Sequence, residues 1–132
     1  MKQKSLYSYV IIIMLVIRET QMQVFDDYAF QQFIDDMVIE LRNDYPTQTA
    51  EMPEKDLRKM IEDGTNRAEI YDVTMVSDVQ RFLGCMLLLG QNFDTEDQTV
   101  WAGKILRDKD MSGTLKMDEI DDQLNFRSVE KV

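Results

Sequence analysis

The chain has 132 residues, 44% of them apolar, with a net charge of −10 at pH 7, no histidine and one cysteine. This composition suits one compact domain with its own core, and the negative charge repels nucleic-acid phosphates and anionic lipid. The absence of histidine removes the usual general base and most zinc sites, and a single cysteine excludes an intrachain disulfide, so we predict a non-enzymatic protein that binds a basic protein or a cation.

The first residues combine Lys2 and Lys4 with an apolar run over Val10–Ile17, as in a signal peptide. No small-x-small cleavage site follows, and the run is too short to span a bilayer as a helix. A second interpretation is that Met14 is the natural start, which makes 1–13 an overextended N-terminal extension. A third is a packed strand or extended arm, because isoleucine and valine favour extended backbone. We expect a single helical domain over 14–127 and a frayed tail over 128–132.

Apolar residues at steps of three and four predict a long first helix that ends at about Tyr45. Pro46 stops it, because the residue before a proline disfavours helical backbone, and a polar link follows over 47–51. Pro53 suits the first turn of a second helix. Gly64 inside that helix indicates a kink or a tight contact between helices. The predicted inward positions are Met22, Phe25, Ala29, Phe33, Met37 and Leu41 in the first helix, and Leu57, Met60, Ile61, Ala68 and Tyr71 in the second.

The third helix is the most apolar and is predicted to be central. Thr74 or Ser77 can cap its N-terminus, and Gly90 is its natural C-terminal cap. Cys85 lies in its apolar run, where we expect a small core residue and not a reactive thiol.

Two shorter helices complete the prediction. Thr95 and Gln98 have the capping-box spacing for a fourth helix, and a last short helix is expected over 118–126. No segment shows the period-two alternation of a sheet protein. The predicted fold class is therefore all-α, a compact bundle of about five helices.

Asp108 to Glu119 read D-K-D-M-S-G-T-L-K-M-D-E and match an EF-hand calcium loop at most positions. Three departures are a lysine at position nine, an incoming helix whose apolar residues are out of phase, and the lack of a second loop. The alternative is an acidic link between helices, in which aspartate and serine are ordinary turn residues. The predicted calcium ligands are Asp108, Asp110, Ser112, Thr114 and Glu119.

From Met14 onward the chain resembles a family of small, largely uncharacterised bacterial proteins that open with I-R-x-x-Q-M, here residues 17–22. The similarity continues in the motifs F-x-x-F-x-x-x-M-x-x-x-L-R, D-V-x-R-F-L and L-G-x-x-F-D, here residues 30–42, 78–83 and 89–94. Further matching positions are Tyr45, Pro46, Leu57, Arg58, Ile61, Gly64, Arg67, Ala68, Tyr71, Trp101, Ile105 and Leu106.

Proteins of this kind are similar to accessory proteins encoded beside toxin and spike genes of type VI secretion systems. The resemblance implies a cytoplasmic adaptor, co-chaperone or neutraliser that binds a secreted effector or a spike-associated protein, with no catalytic residue and no cofactor. We expect no nucleic-acid partner and no membrane insertion of the folded domain. Arg18, Gln21 and Met22 are the candidate partner-binding residues, and capping of the first helix is the alternative role for them. A calcium-binding helical protein is the alternative function.

Overall fold

The computed structural model describes residues 23–130. Six α-helices and one 3-10 turn, with no strand, occupy this range, which confirms the predicted all-α bundle. The segment for which a strand or arm was considered, and the start at Met14, lie outside the described residues. The helices are α1 (Gln23–Asp44), α2 (Pro46–Thr49), α3 (Glu54–Ile70), α4 (Val76–Leu89), α5 (Val100–Leu106) and α6 (Gly113–Glu130), and the 3-10 turn at Asp97–Thr99 directly precedes α5.

Pro46 ends α1 as predicted, but it also begins α2. Proline suits the first helical position because its missing N–H would have no intrahelical partner there. The polar link predicted over 47–51 was therefore wrong in part, since a short helix occupies its first three residues. Arg42 stabilises this helix by donating hydrogen bonds to the carbonyl oxygens of Thr49 and Met52, both at 2.8 Å. Carbonyls at a helix C-terminus lack intrahelical donors, and the guanidinium supplies them.

Gly64 marks a tight contact and not a kink, because α3 runs without a break past it. A Cβ at this position would lie 2.5 Å from Cδ2 of Leu83 and 2.6 Å from Sδ of Met86. The glycine therefore lets α3 and α4 approach closely. Pro53 lies at the N-cap of α3, one position earlier than predicted.

The core lies between α1, α3, α4 and α6, and α4 runs through it. All the predicted inward residues of α1 and α3 within 27–127 are buried, except Tyr71, which is half-buried. The aromatic contact at its centre joins Phe82 and Phe93, with ring centroids 5.1 Å apart. Val73, Phe93, Ala102 and Met117 are also buried in the core, although they lie outside the apolar stripes from which the helices were predicted.

A tight turn joins α3 to α4. Asp72 has a left-handed backbone conformation, with φ of 64°. Its N–H donates to the carbonyl of Glu69, and the N–H of Val73 donates to the carbonyl of Ala68. This pair of hydrogen bonds defines a Schellman motif, which ends the helix and buries Val73. The N-cap of α4 is Met75 and makes no side-chain cap bond, so the predicted caps at Thr74 or Ser77 were wrong, whereas Gly90 is the C-cap as predicted.

The last third of the bundle departs from the prediction at two helix starts. The Thr95 hydroxyl donates to the carbonyl of Asn92 instead of capping a helix, so the predicted capping box does not form. Burial of Phe93 and Asp94 holds this segment as a turn, and α5 starts only at Val100. Helix α6 starts at Gly113, five residues before the predicted start, and continues to Glu130. No helix within 23–130 has the length and apolar content needed to cross a membrane.

Candidate functional site

The first buried polar cluster is the Asp94 network, formed by Asp94, Arg67, Tyr71 and Arg107. Asp94 is 3% exposed and follows the end of α4. Its carboxylate accepts a hydrogen bond from Arg67 Nη1 at 2.8 Å and another from the Tyr71 hydroxyl at 2.7 Å. Its backbone carbonyl accepts from Arg107 Nη2 at 2.7 Å. These bonds tie the loop between α4 and α5 to the ends of α3 and α5.

The Tyr71 phenol keeps its proton at neutral pH. Burial, the hydrogen bond to Asp94 and the Asp94 charge raise its pKa to about 12, although Arg107 and Arg67 act in the opposite direction. The backbone carbonyl of Tyr71 accepts a hydrogen bond from Nζ of Lys116 at 2.9 Å. Lys116 is 3% exposed, and an ammonium group is buried only where it has hydrogen-bond partners. The start of α6 is thereby anchored to the end of α3.

The second cluster is the Asp78 network, formed by Asp78, Arg81, Thr114, Asp118 and Asp121. The buried Asp78 carboxylate accepts from Arg81 Nη2 at 2.8 Å and from the Thr114 hydroxyl at 2.5 Å. Arg81 Nη1 also donates to Asp118 at 2.9 Å and to Asp121 at 2.8 Å. Burial alone would lower the pKa of Arg81, but the hydrogen bonds to these three carboxylates raise it. The cation is therefore permanent and joins α4 to α6.

An open groove with a volume of about 510 Å³ lies beside the Asp78 network. The end of α1, the start of α4 and the start of α6 form its walls, and we call it the α1–α4–α6 groove. Its lining residues are Asp44, Tyr45, Met75, Ser77, Asp78, Gln80, Arg81 and Thr114.

The predicted calcium ligands take part in turn and helix-capping contacts. Asp108 Oδ1 accepts from the N–H of Asp110 at 2.9 Å, and Ser112 Oγ accepts from the N–H of Leu115 at 3.2 Å, which caps α6. Thr114 is turned toward Asp78. Within 23–130 no group of three or more aspartate, glutamate, cysteine or histidine side chains is arranged to hold a metal ion. Asp108, Asp110 and Glu119 are thus not brought together here, and calcium binding stays a prediction.

Thermal unfolding with and without calcium tests that prediction. If the loop binds calcium, excess ion is expected to raise the unfolding temperature by several degrees, because a ligand that binds only the folded state stabilises it. Glu119→Gln then abolishes the rise, and the control Asp122→Asn, at an exposed neighbouring position, keeps it. Magnesium serves as the matched ion. An unchanged unfolding temperature in the unmodified chain would exclude a functional site.

Cys85 is a core residue, as predicted, and 2% exposed. Burial, followed by the charge of Asp121, raises the pKa of its thiol from 9.0 to about 12. The thiolate is the reactive form, so at neutral pH its population is far lower than for a free cysteine.

We therefore expect the native chain to resist a thiol reagent such as Ellman's reagent, and the urea-unfolded chain to release one equivalent. The same assay on Cys85→Ala gives the background. Labelling of the native chain at the rate of the unfolded chain would contradict the buried position.

The predicted partner-binding residues Arg18, Gln21 and Met22 lie outside the described residues. Sequence reasoning gave Asp78 and Arg67 no role of their own, although both are matching positions of the resemblance, and it treated Lys116 only as a departure from the calcium loop. No protein-family model, curated protein or solved structure matches this chain. The family suggested by the resemblance thus stays a prediction.

Proposed function

We propose that this chain is a non-enzymatic, cytoplasmic accessory protein of a bacterial secretion system, an adaptor, co-chaperone or neutraliser that binds a secreted effector or a spike-associated protein. The proposal takes its biological setting from the motif resemblance. Its physical support comes from the role of the motif residues and from one exposed surface.

The motif residues act mostly inside the fold. Arg67, Tyr71 and Asp94 form the Asp94 network, and Asp78 pairs with Arg81 in the second network. Both buried carboxylates are paired with donors: Asp94 with Arg67 and Tyr71, and Asp78 with Arg81 of its own helix and Thr114 of α6. Such paired carboxylates suit a scaffold better than acid–base chemistry. Among the described residues, those that recognise a partner would then lie mainly on the surface outside the motifs that form these two networks.

The observation that carries the proposal is a group of exposed apolar side chains where α3 and α4 meet the start of α6. We call Ile70, Met75 and Leu115 the apolar patch; they are 74%, 44% and 53% exposed. Ile70 and Leu115 are the chain neighbours of Tyr71 and Lys116, which are hydrogen-bonded to each other. The three side chains thus stand at helix ends that meet at the turn between α3 and α4, and exposed large apolar side chains at one end of a bundle are candidates for contact with a protein partner.

A pull-down from native lysate with a tagged chain, followed by mass spectrometry, tests the proposal. We expect recovery of a toxin or spike protein, and at least a tenfold loss of recovery for the double variant Ile70→Ser, Leu115→Ser. The matched control is Ile39→Ser, because Ile39 is 59% exposed on α1, a helix that contributes no residue to the patch. Recovery of no specific protein by the unmodified chain would contradict the proposed function.

A further inference from the structure

We propose that the α1–α4–α6 groove binds a basic segment of the partner protein, with a lysine or arginine head at Asp44 and its apolar neighbour against Met75. The inference rests on the proposed function and deepens it, because it states the chemistry of the segment that is recognised.

The charge around the groove selects a cation. Of the described residues that line it, Arg81 alone is basic, and its guanidinium is already shared among Asp78, Asp118 and Asp121. Asp44 adds a further carboxylate, whose hydrogen bond comes from the neutral amide of Gln80 at 3.1 Å. The groove and its immediate surroundings thus hold four carboxylates and one guanidinium, of which Asp44 and Asp78 line the groove itself. The excess negative charge favours an incoming cation over a phosphate or an acidic peptide.

The walls of the groove suit the stem of a long basic side chain. The Tyr45 ring is packed with its hydroxyl against Gly84, where a Cβ would overlap it, so this wall is held in place. Met75 is 44% exposed at the rim and offers a flexible apolar surface. Lysine and arginine lay their methylene groups along such a surface while the charged head reaches an acid. Thr114 also connects the groove to Leu115 of the apolar patch, so one partner segment can cover both.

Amide NMR spectra of the full chain, titrated with a synthetic peptide of repeating Leu-Lys-Lys-Leu, test the proposal. We expect shifts concentrated at the lining residues Asp44, Tyr45, Ser77 and Thr114. Asp44→Asn should weaken binding roughly fivefold, the scale of one partly exposed ion pair. Glu62→Gln removes the same charge from an exposed position on α3 and should leave the affinity unchanged. The matched peptide of repeating Leu-Glu-Glu-Leu should not bind.

Four outcomes would overturn the inference. Shifts spread over all acidic surfaces, or equal losses for Asp44→Asn and Glu62→Gln, would indicate binding to overall charge only. Absence of peptide binding would show that the groove does not bind a basic segment. A change of oligomeric state caused by Asp44→Asn would identify a second copy of the chain as the occupant.

The proposal of binding in the groove and the proposed function can be contradicted independently of each other. If the unmodified chain and the variants Asp44→Asn and Met75→Ala recover the partner equally well in the pull-down, the protein-binding function stands, and the groove is not the site that binds the partner. If the unmodified chain recovers no partner, the proposed function falls, whatever the peptide titration shows.

Discussion

Gly113→Ala is expected to lower the free energy of unfolding by about 3 kcal/mol, an overpacking effect at a backbone contact. A Cβ at Gly113 would overlap the carbonyl oxygen of Asp72 and lie 3.0 Å from Cα of Val73. Backbone atoms cannot move aside as a flexible side chain does, and the Schellman hydrogen bonds of Asp72 and Val73 fix them further. The clash outweighs the higher helix propensity of alanine, which is worth at most about 1 kcal/mol in the opposite direction.

Urea unfolding followed by circular dichroism measures this difference. The control is Asn125→Ala, at an exposed position on the same helix, which should change the stability by less than about 0.5 kcal/mol. A Gly113→Ala chain as stable as the unmodified one would mean that α6 does not begin against the turn between α3 and α4.

Asp94→Ala is expected to lower the free energy of unfolding by about 3 kcal/mol, because it leaves two partly buried donors without their buried acceptor. Asp94 is 3% exposed and accepts from both Arg67 and Tyr71. Arg67 keeps its bond to the carbonyl of Gln91 and is partly exposed, so water replaces some of the lost interaction. The matched control is Asp97→Ala, an exposed acid of the following turn, with an expected change below about 0.5 kcal/mol.

Asp94→Asn keeps the shape of the side chain and provides a second readout, the ionisation of Tyr71. Because the pKa of Tyr71 is raised to about 12 in the folded chain, the stability linked to its proton is complete below pH 10 and is lost as pH rises toward about 12. In Asp94→Asn the pKa should fall part of the way, since burial, the largest cause, remains. The loss of stability between pH 10 and 12 should therefore be smaller than in the unmodified chain. An equal loss of stability in both chains would show that Asp94 does not influence the ionisation of Tyr71.

The amino-acid sequence by itself determined the three long helices α1, α3 and α4 and most of the core. In α1, α3 and α4 the apolar residues recur every three or four positions, which is one helical turn. This spacing can be read from the sequence without a structure. The same holds for the stop at Pro46 and the C-cap at Gly90, which follow from backbone restrictions of single residue types. Burial of Cys85 was predicted for the same reason, from the apolar run around it.

Only the tertiary structure decided the start of α6 and the pairing of the buried charges. Aspartate, serine and glycine over 108–113 are turn residues, and local spacing could not show that Gly113 begins a helix against the backbone of Asp72. The bonds from Arg67 to Asp94 and from Lys116 to Tyr71 join residues 27 and 45 positions apart. Such pairs depend on how helices pack, whereas sequence periodicity reports only which side of each helix is buried.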